Sequence, residues 1–193
     1  IQKTYHSEGF SLADWFPDGN SVLALGSRDH FWRGPSRMMK IDITKRTAEN
    51  VLLEDAASYA SLSSDGKSIL FVREGERWAR KGYVGERAAQ IWSLNLETSE
   101  VKELLHEKVE CLWPIWMPNK SGFYFTKGAN KGHDLWSYQF GGDGQPAQQT
   151  KLAGFDHDSI VYPVISRDGS TIVFRHLFDL YSYKPGTGQA PSK

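Results

Sequence analysis

One turn signal recurs four times, in phase, along this chain. It appears as Phe16-Pro17-Asp18-Gly19, Ser63-Ser64-Asp65-Gly66, Met117-Pro118-Asn119-Lys120-Ser121-Gly122 and Ser166-Arg167-Asp168-Gly169. The glycines at 19, 66, 122 and 169 are spaced by 47, 56 and 47 residues. Asp-Gly supplies the positive φ that a tight hairpin requires, and a proline one place earlier fixes the approach of the chain. A short β-branched and aromatic run follows each turn: 21–25, 68–72, 123–126 and 171–175. A second alternating strand comes after a loop (39–43, 90–94, 134–138, 179–183), and then a polar connector such as 95–100. A further strand follows at 50–53, 101–105 and 148–152, and one more precedes each turn, as in 58–62 and 111–116. Four strands per period of about 48 residues match one propeller blade. Alternation with period two excludes helix for nearly all of the chain. A sandwich or barrel would explain the strands but not the same turn returning in phase. The expected fold is all-β: a β-propeller fragment of about four four-stranded antiparallel blades, forming an open arc.

The phase sets approximate blades at 10–53, 58–105, 111–152 and 161–185, the last incomplete, with 1–5 as a stray outer strand of a preceding blade. A start at Ile1 and a polar end at 186–193 give the expectation that this is a piece of a longer protein. The first strand of each blade should line a central channel, which brings Asp14, Ser58, Trp113 and Tyr162 under suspicion. A one-residue slip in register would reverse every side chain there.

Composition narrows the function classes. Hydrophobic residues at 39% and charged residues at 24% describe a globular chain, and no apolar stretch approaches the roughly 20 residues that span a bilayer. Basic and acidic residues balance at 23 each, so no electrostatic case exists for nucleic acid or an acidic membrane surface. The one cysteine, Cys111, lies beside Leu112 and Trp113 and reads as a buried, inert thiol. No Gly-x-Ser-x-Gly elbow, His-Glu-x-x-His, phosphate loop or cysteine pair occurs, so no catalytic, cofactor or metal site is expected. Asp156-His157-Asp158 cannot turn three adjacent side chains of an extended chain onto one ion, and reads as a solvated loop. His133-Asp134 reads as the polar entry to a strand, and nothing in the sequence gives His176 a partner.

The most informative segment is the connection 73–89, in which five basic groups accompany two aromatics and three glycines. Blade hairpins usually need about 2–5 residues, and longer loops are commonly functional. It is the candidate binding or docking loop, with Trp78 and Tyr83 as anchors and Arg80, Lys81 and Arg87 meeting acidic groups. The bland reading is an insertion packed over its own blade, its arginines paired with Glu74, Glu76 and Glu86. A similar basic-aromatic loop at 27–37 suggests that connections on one side of the arc jointly build a surface.

The segment from Arg77 to Trp92, RWARKGYVGERAAQIW, resembles the Trp-x-x-Lys-Gly-Tyr-Arg-Gly…Ile-Trp stretch in the six-bladed N-terminal propeller of tricorn proteases. Lys81, Gly82, Tyr83, Gly85, Ile91 and Trp92 match, Trp78 is displaced by one residue, and Val84 stands where the family has arginine. The Phe-Pro-Asp-Gly turn at 16–19 and the closing segment 166–188 fit the same layout, roughly blades three to six. The repeats themselves are shared with TolB-like, WD40-like and prolyl-oligopeptidase propellers. The resemblance implies a cytoplasmic serine peptidase of the S41 class whose catalytic residues lie elsewhere, the propeller gating or channelling peptides. Its implied partners are peptides, the remaining blades and the protease domains. The two bare blade faces of an open arc, and the edge of 179–183 left by the incomplete last blade, give the further expectation of self-association. The alternative is a TolB-like scaffold that binds a protein partner, and a third option is the cap of a prolyl-oligopeptidase-like enzyme.

Overall fold

The computed structural model describes residues 2–5, 9–27, 36–75, 77–142 and 145–193. Among the described residues all regular elements are strands, arranged as four antiparallel sheets in chain order. The first sheet holds β1 (Ser11–Trp15), β2 (Ser21–Gly26), β3 (Arg37–Asp42) and β4 (Asn50–Leu53). The second holds β5 (Ser58–Leu62), β6 (Ser68–Arg73), β7 (Gln90–Asn95) and β8 (Val101–Leu105). The third holds β9 (Cys111–Trp116), β10 (Gly122–Ala129), β11 (Gly132–Gln139) and β12 (Gln148–Ala153). The last has three strands, β13 (Ile160–Ile165), β14 (Ile172–His176) and β15 (Asp179–Tyr183). Each sheet is a simple meander, and the sheets form a four-blade β-propeller arc whose inner strands β1, β5, β9 and β13 adjoin one another.

The core lies between blades rather than within them. Leu23 and Met38 of the first blade pack on Leu62, Ile69, Phe71 and Leu94 of the second. Leu70, Val72 and Ile91 of the second meet Leu112, Phe123 and Phe125 of the third, and Leu135 of the third meets Ile160, Ile172 and Phe174 of the fourth. Phe71, Phe123, Phe125 and Phe174 are fully buried, each contributing on the order of 2–3 kcal/mol of transfer free energy.

The recurring turns clasp these interfaces at one rim. In all four, the amide of the turn's last residue donates to the carbonyl three residues earlier: Gly19 to Phe16, Gly66 to Ser63, Lys120 to Met117 and Gly169 to Ser166. The third turn therefore closes on Lys120, at φ 55°, and not on Gly122. Gly122 answers a different demand, because a Cβ there would lie 1.9 Å from the Tyr138 carbonyl oxygen across the hairpin. The side chains of Asp18, Asn119 and Asp168 each accept the backbone N–H two residues on, as does Asp65 from Lys67. Each turn then docks on its neighbour. A Cβ on Gly66 would lie 2.9 Å from Pro17 of the preceding blade, and one on Gly169 would lie 2.5 Å from Pro118. Between the second and third blades, Lys120 pairs with Asp65 and the Ser64 hydroxyl donates to the Pro118 carbonyl at 3.2 Å.

Both ends depart from expectation. Residues 2–5 form no strand. The edge of β15, expected to stand bare, is partly taken by the chain's own tail. Ser182 and Ser192 exchange backbone hydrogen bonds of 2.7 and 2.9 Å, and Lys193 pairs with Asp179 at 2.7 Å.

The turn geometry separates two glycine effects. Gly19→Ala meets no neighbour and should lose only the left-handed preference, about 1 kcal/mol in denaturant unfolding. Gly66→Ala and Gly169→Ala add a clash with a proline of the preceding blade and should each cost about 1–3 kcal/mol more. Equal losses at all three positions would show that the turns are not clasped.

Candidate functional site

The inner strands are interrupted at equivalent places. Pairing of β5 with β6 slips between Ser58 and Ser61, and that of β13 with β14 between Val161 and Val164. In β9 the slip lies between Leu112 and Ile115, opposite Thr126 and Tyr124. The displaced residues include Tyr59, Trp113 and Tyr162, with φ of 47°, 48° and 54°. Left-handed backbone is a genuine outlier for a bulky side chain and costs about 1–2 kcal/mol per residue. A bulge bends its strand and re-aims the side chain it carries. Here the bulges hand aromatic rings from blade to blade. Tyr59 and Trp113 lie 5.0 Å apart at a tilt of 58°, and Trp113 and Tyr162 lie 5.3 Å apart edge to face. Such pairs contribute about 0.5–1.5 kcal/mol each beyond burial, which offsets part of the strain.

The arc runs from core to solvent, Trp113 being 7% exposed and Tyr162 47%. His133 stands edge-on to Trp113 at 6.3 Å, and its Nδ1 lies 2.9 Å from the Ser159 hydroxyl. Both His133 and Ser159 are buried, and among the described residues neither His133 Nε2 nor Trp113 Nε1 has a hydrogen-bond partner. Burial pushes the imidazole down to about 4, since a charged ring would lose its hydration there.

The described residues of the connection 74–89 close over one end of this arc. Gly75 N donates to Arg87 O at 3.0 Å, drawing the loop's two ends together. Val84 forms a bridge with Val109, and Gly85 N donates to Lys108 O at 2.8 Å, laying the loop on the segment that enters the third blade. The buried Glu110 carboxylate accepts the Ala89 amide at 2.7 Å. The tip reaches the fourth blade, where Trp78 meets Tyr162 edge to face at 6.1 Å and Lys81 pairs with Asp158 at 2.7 Å. Asp158 is held below the usual carboxylate range, chiefly by its hydrogen bond from Lys81.

The five loop residues singled out from sequence thus have distinct places. Trp78 joins the aromatic arc. Tyr83 folds over its own loop, its hydroxyl 2.7 Å from where a Cβ on Gly85 would sit, and Arg80 lies over its ring at 4.8 Å. Lys81 holds Asp158, and Arg87 faces Glu74 at 3.7 Å. Glu86 pairs with Lys108 at 2.8 Å rather than with a loop arginine. Arg80, Lys81 and Arg87 are thus directed at Tyr83, Asp158 and Glu74, and Tyr162 is the exposed ring of the arc. Of the suspected channel residues, Trp113 and Tyr162 belong to the arc. Ser58 is one residue off Tyr59, and Asp14 instead accepts the Leu62 amide at 2.9 Å between the first two blades. An aromatic at the same offset before three of the turns was the available signal for Tyr59. The loop at 27–37 falls mostly outside the described residues. Among the described residues no group of three or more His, Cys, Asp or Glu is placed to hold a metal ion, and no helix is long and apolar enough to cross a membrane. Cys111 is buried, and desolvation pushes its thiol well up.

The depressed His133 value has a definite sign. Between pH 4 and about 6.5 the unfolded chain binds a proton that the folded chain does not, so stability falls as pH drops through that window. The full loss, on the order of 3 kcal/mol, is reached below about pH 4. His133→Gln should flatten the pH dependence of unfolding over that range, and an unchanged slope would contradict the assignment.

A family model described as "Tricorn protease N-terminal beta propeller domain" matches residues 1–189. A search of curated proteins finds no match. Among solved structures, TolB from Acinetobacter baumannii aligns with TM-score 0.69 and 20% identity over 94% of this chain and 42% of that one. The β-propeller domain of the trilobed protease from Pyrococcus furiosus aligns with TM-score 0.56 and 17% identity, covering 92% and 55%. The tricorn protease aligns with TM-score 0.53 and 13% identity over 96% of this chain and 22% of that structure. The chain therefore spans under half the length of the A. baumannii TolB it resembles. With a match that runs nearly end to end, the chain belongs to the tricorn protease N-terminal β-propeller domain family.

Proposed function

We propose that this chain is the non-catalytic propeller portion of a tricorn-like serine peptidase, and that it guides peptides to or from a protease core located elsewhere in the full-length protein. The observation that carries this reading is the family match over 1–189, joined to a rim at which Tyr162 and Trp78 stand partly open to solvent. A guide must offer weak, repeated contacts, so that a peptide can enter and still leave. The partly open rings of Tyr162 and Trp78 would supply sequence-tolerant apolar contact of that kind. The loop borders this rim, because Lys81 and Trp78 pin its tip to the fourth blade. On this reading the working partners are peptides and the other domains of the cytoplasmic parent.

Likeness to TolB supports a rival reading, a scaffold that holds a protein partner on the same rim. The two part company in the full-length protein. Replacing 77–87 with a short Gly-Asn turn should change peptide turnover several-fold while the strand signal in circular dichroism is kept. Unchanged turnover together with loss of a bound protein would favour the scaffold. Lys81→Ala should act in the same direction, more weakly, by freeing the loop tip.

A further inference from the structure

We propose that Arg175, framed by Trp78 and Tyr162, is an anchoring site for a carboxylate carried on an otherwise apolar peptide segment. Arg175 lies on β14, paired with Val161 of β13 and Leu180 of β15, at the end nearest the loop 74–89. Its guanidinium carbon sits 5.6 Å from the ring centre of Trp78 and 5.2 Å from that of Tyr162. Two rings from two separate elements therefore hold the planar group in place, and a pre-oriented guanidinium fork suits bidentate capture of a carboxylate.

No acidic side chain among the described residues completes this arrangement. The Arg175 guanidinium makes no hydrogen bond or ion pair with any described residue. Two carboxylates of the same rim are engaged elsewhere, Asp158 with Lys81 and Glu110 with the Ala89 amide. The chain contains its own completed version of the motif. Arg73 lies over Trp92 at 4.5 Å and takes Asp55 at 2.6 Å. Arg175 repeats the ring half of that arrangement and lacks the acid half.

The surroundings specify the rest of the ligand. Tyr162 is half exposed, and the hairpin just beyond Arg175 presents Leu177 and a fully exposed Phe178. An extended peptide laid here would bury an apolar side chain against these groups while its carboxylate meets the guanidinium. The inference deepens the peptide-guiding reading, on which it rests for the nature of the ligand.

The test uses the 193-residue chain and calorimetric titration with three N-blocked hexapeptides, each with one phenylalanine among alanines. One is amidated with an internal glutamate, the second is amidated with glutamine in that place, and the third has no acidic side chain but a free C-terminus. At least one carboxylate peptide should bind about tenfold more tightly than the glutamine peptide, and whichever does so identifies the source of the acid. Arg175→Gln should abolish that preference, and Tyr162→Ala should weaken all three peptides together. Should Arg175→Gln fail to fold, the wild type still decides the matter, because the preference must shrink as salt is raised. Equal binding of all three peptides, no binding of any, or a preference that survives Arg175→Gln or high salt would overturn the proposal. Absent binding alongside turnover that still depends on 77–87 would remove the site alone. Binding as expected with indifferent turnover would remove only the guiding role.

Discussion

A blade of this protein can bury its apolar residues only against another blade. Each sheet carries side chains on both faces, and the fully buried phenylalanines sit at the seams between sheets. Stability is therefore a sum over neighbouring interfaces rather than a property of any one repeat. The clasped turns follow from this, since a seam opens most easily at its rim. Pro17 against Gly66, and Pro118 against Gly169, close that rim by shape, while Lys120 and Asp65 close it by charge. Where no neighbour is present the faces show it: Leu12 and Trp15 of the first blade and Val164 and Leu180 of the last are exposed. We propose that these faces pair with further blades or with a second copy.

Strain is placed where the inner strands meet the rim. Three bulky aromatic residues adopt a backbone region that favours glycine, and each does so at a slip in register. The surrounding ladder over-determines the conformation, which is the condition under which such strain persists. The result is a continuous set of rings that no regular strand could present, because alternation would send neighbouring side chains to opposite faces.

Much of this was legible in the sequence, and the limits have physical reasons. The turn repeat revealed the blades because hairpin geometry restricts residue choice, and Asp-Gly satisfies it openly. Lys120 hid the third turn's true end, since a non-glycine residue took the left-handed position and Gly122 nearby offered a false one. Tyr59 was hidden behind Ser58 because a bulge changes register without changing composition. The loop's aromatic anchor Trp78 was readable from its type, whereas the partners of Lys81 and Arg87 were not. Asp158 lies far along the chain from Lys81, and Glu74 competes with several equal candidates. Arg175 carried no signal at all, because its meaning lies in rings contributed by two other elements.

The loop's reach has a consequence for how the molecule comes apart. Contacts in an arc of repeats run from each unit to the next, so the end unit should peel away without disturbing any but its neighbour. Lys81 and Trp78 break that rule by joining the second blade to the fourth across the third. Loss of the last blade therefore releases the strap, and with it a covering over the entrance to the third. Forming that strap demands closure over a long stretch of chain, which comes late in folding because its entropy must be met before its contacts are gained. A chain of otherwise independent units is thereby given a shared fate from one end to its middle, and unfolding from the C-terminal side becomes more cooperative than unfolding from the first blade.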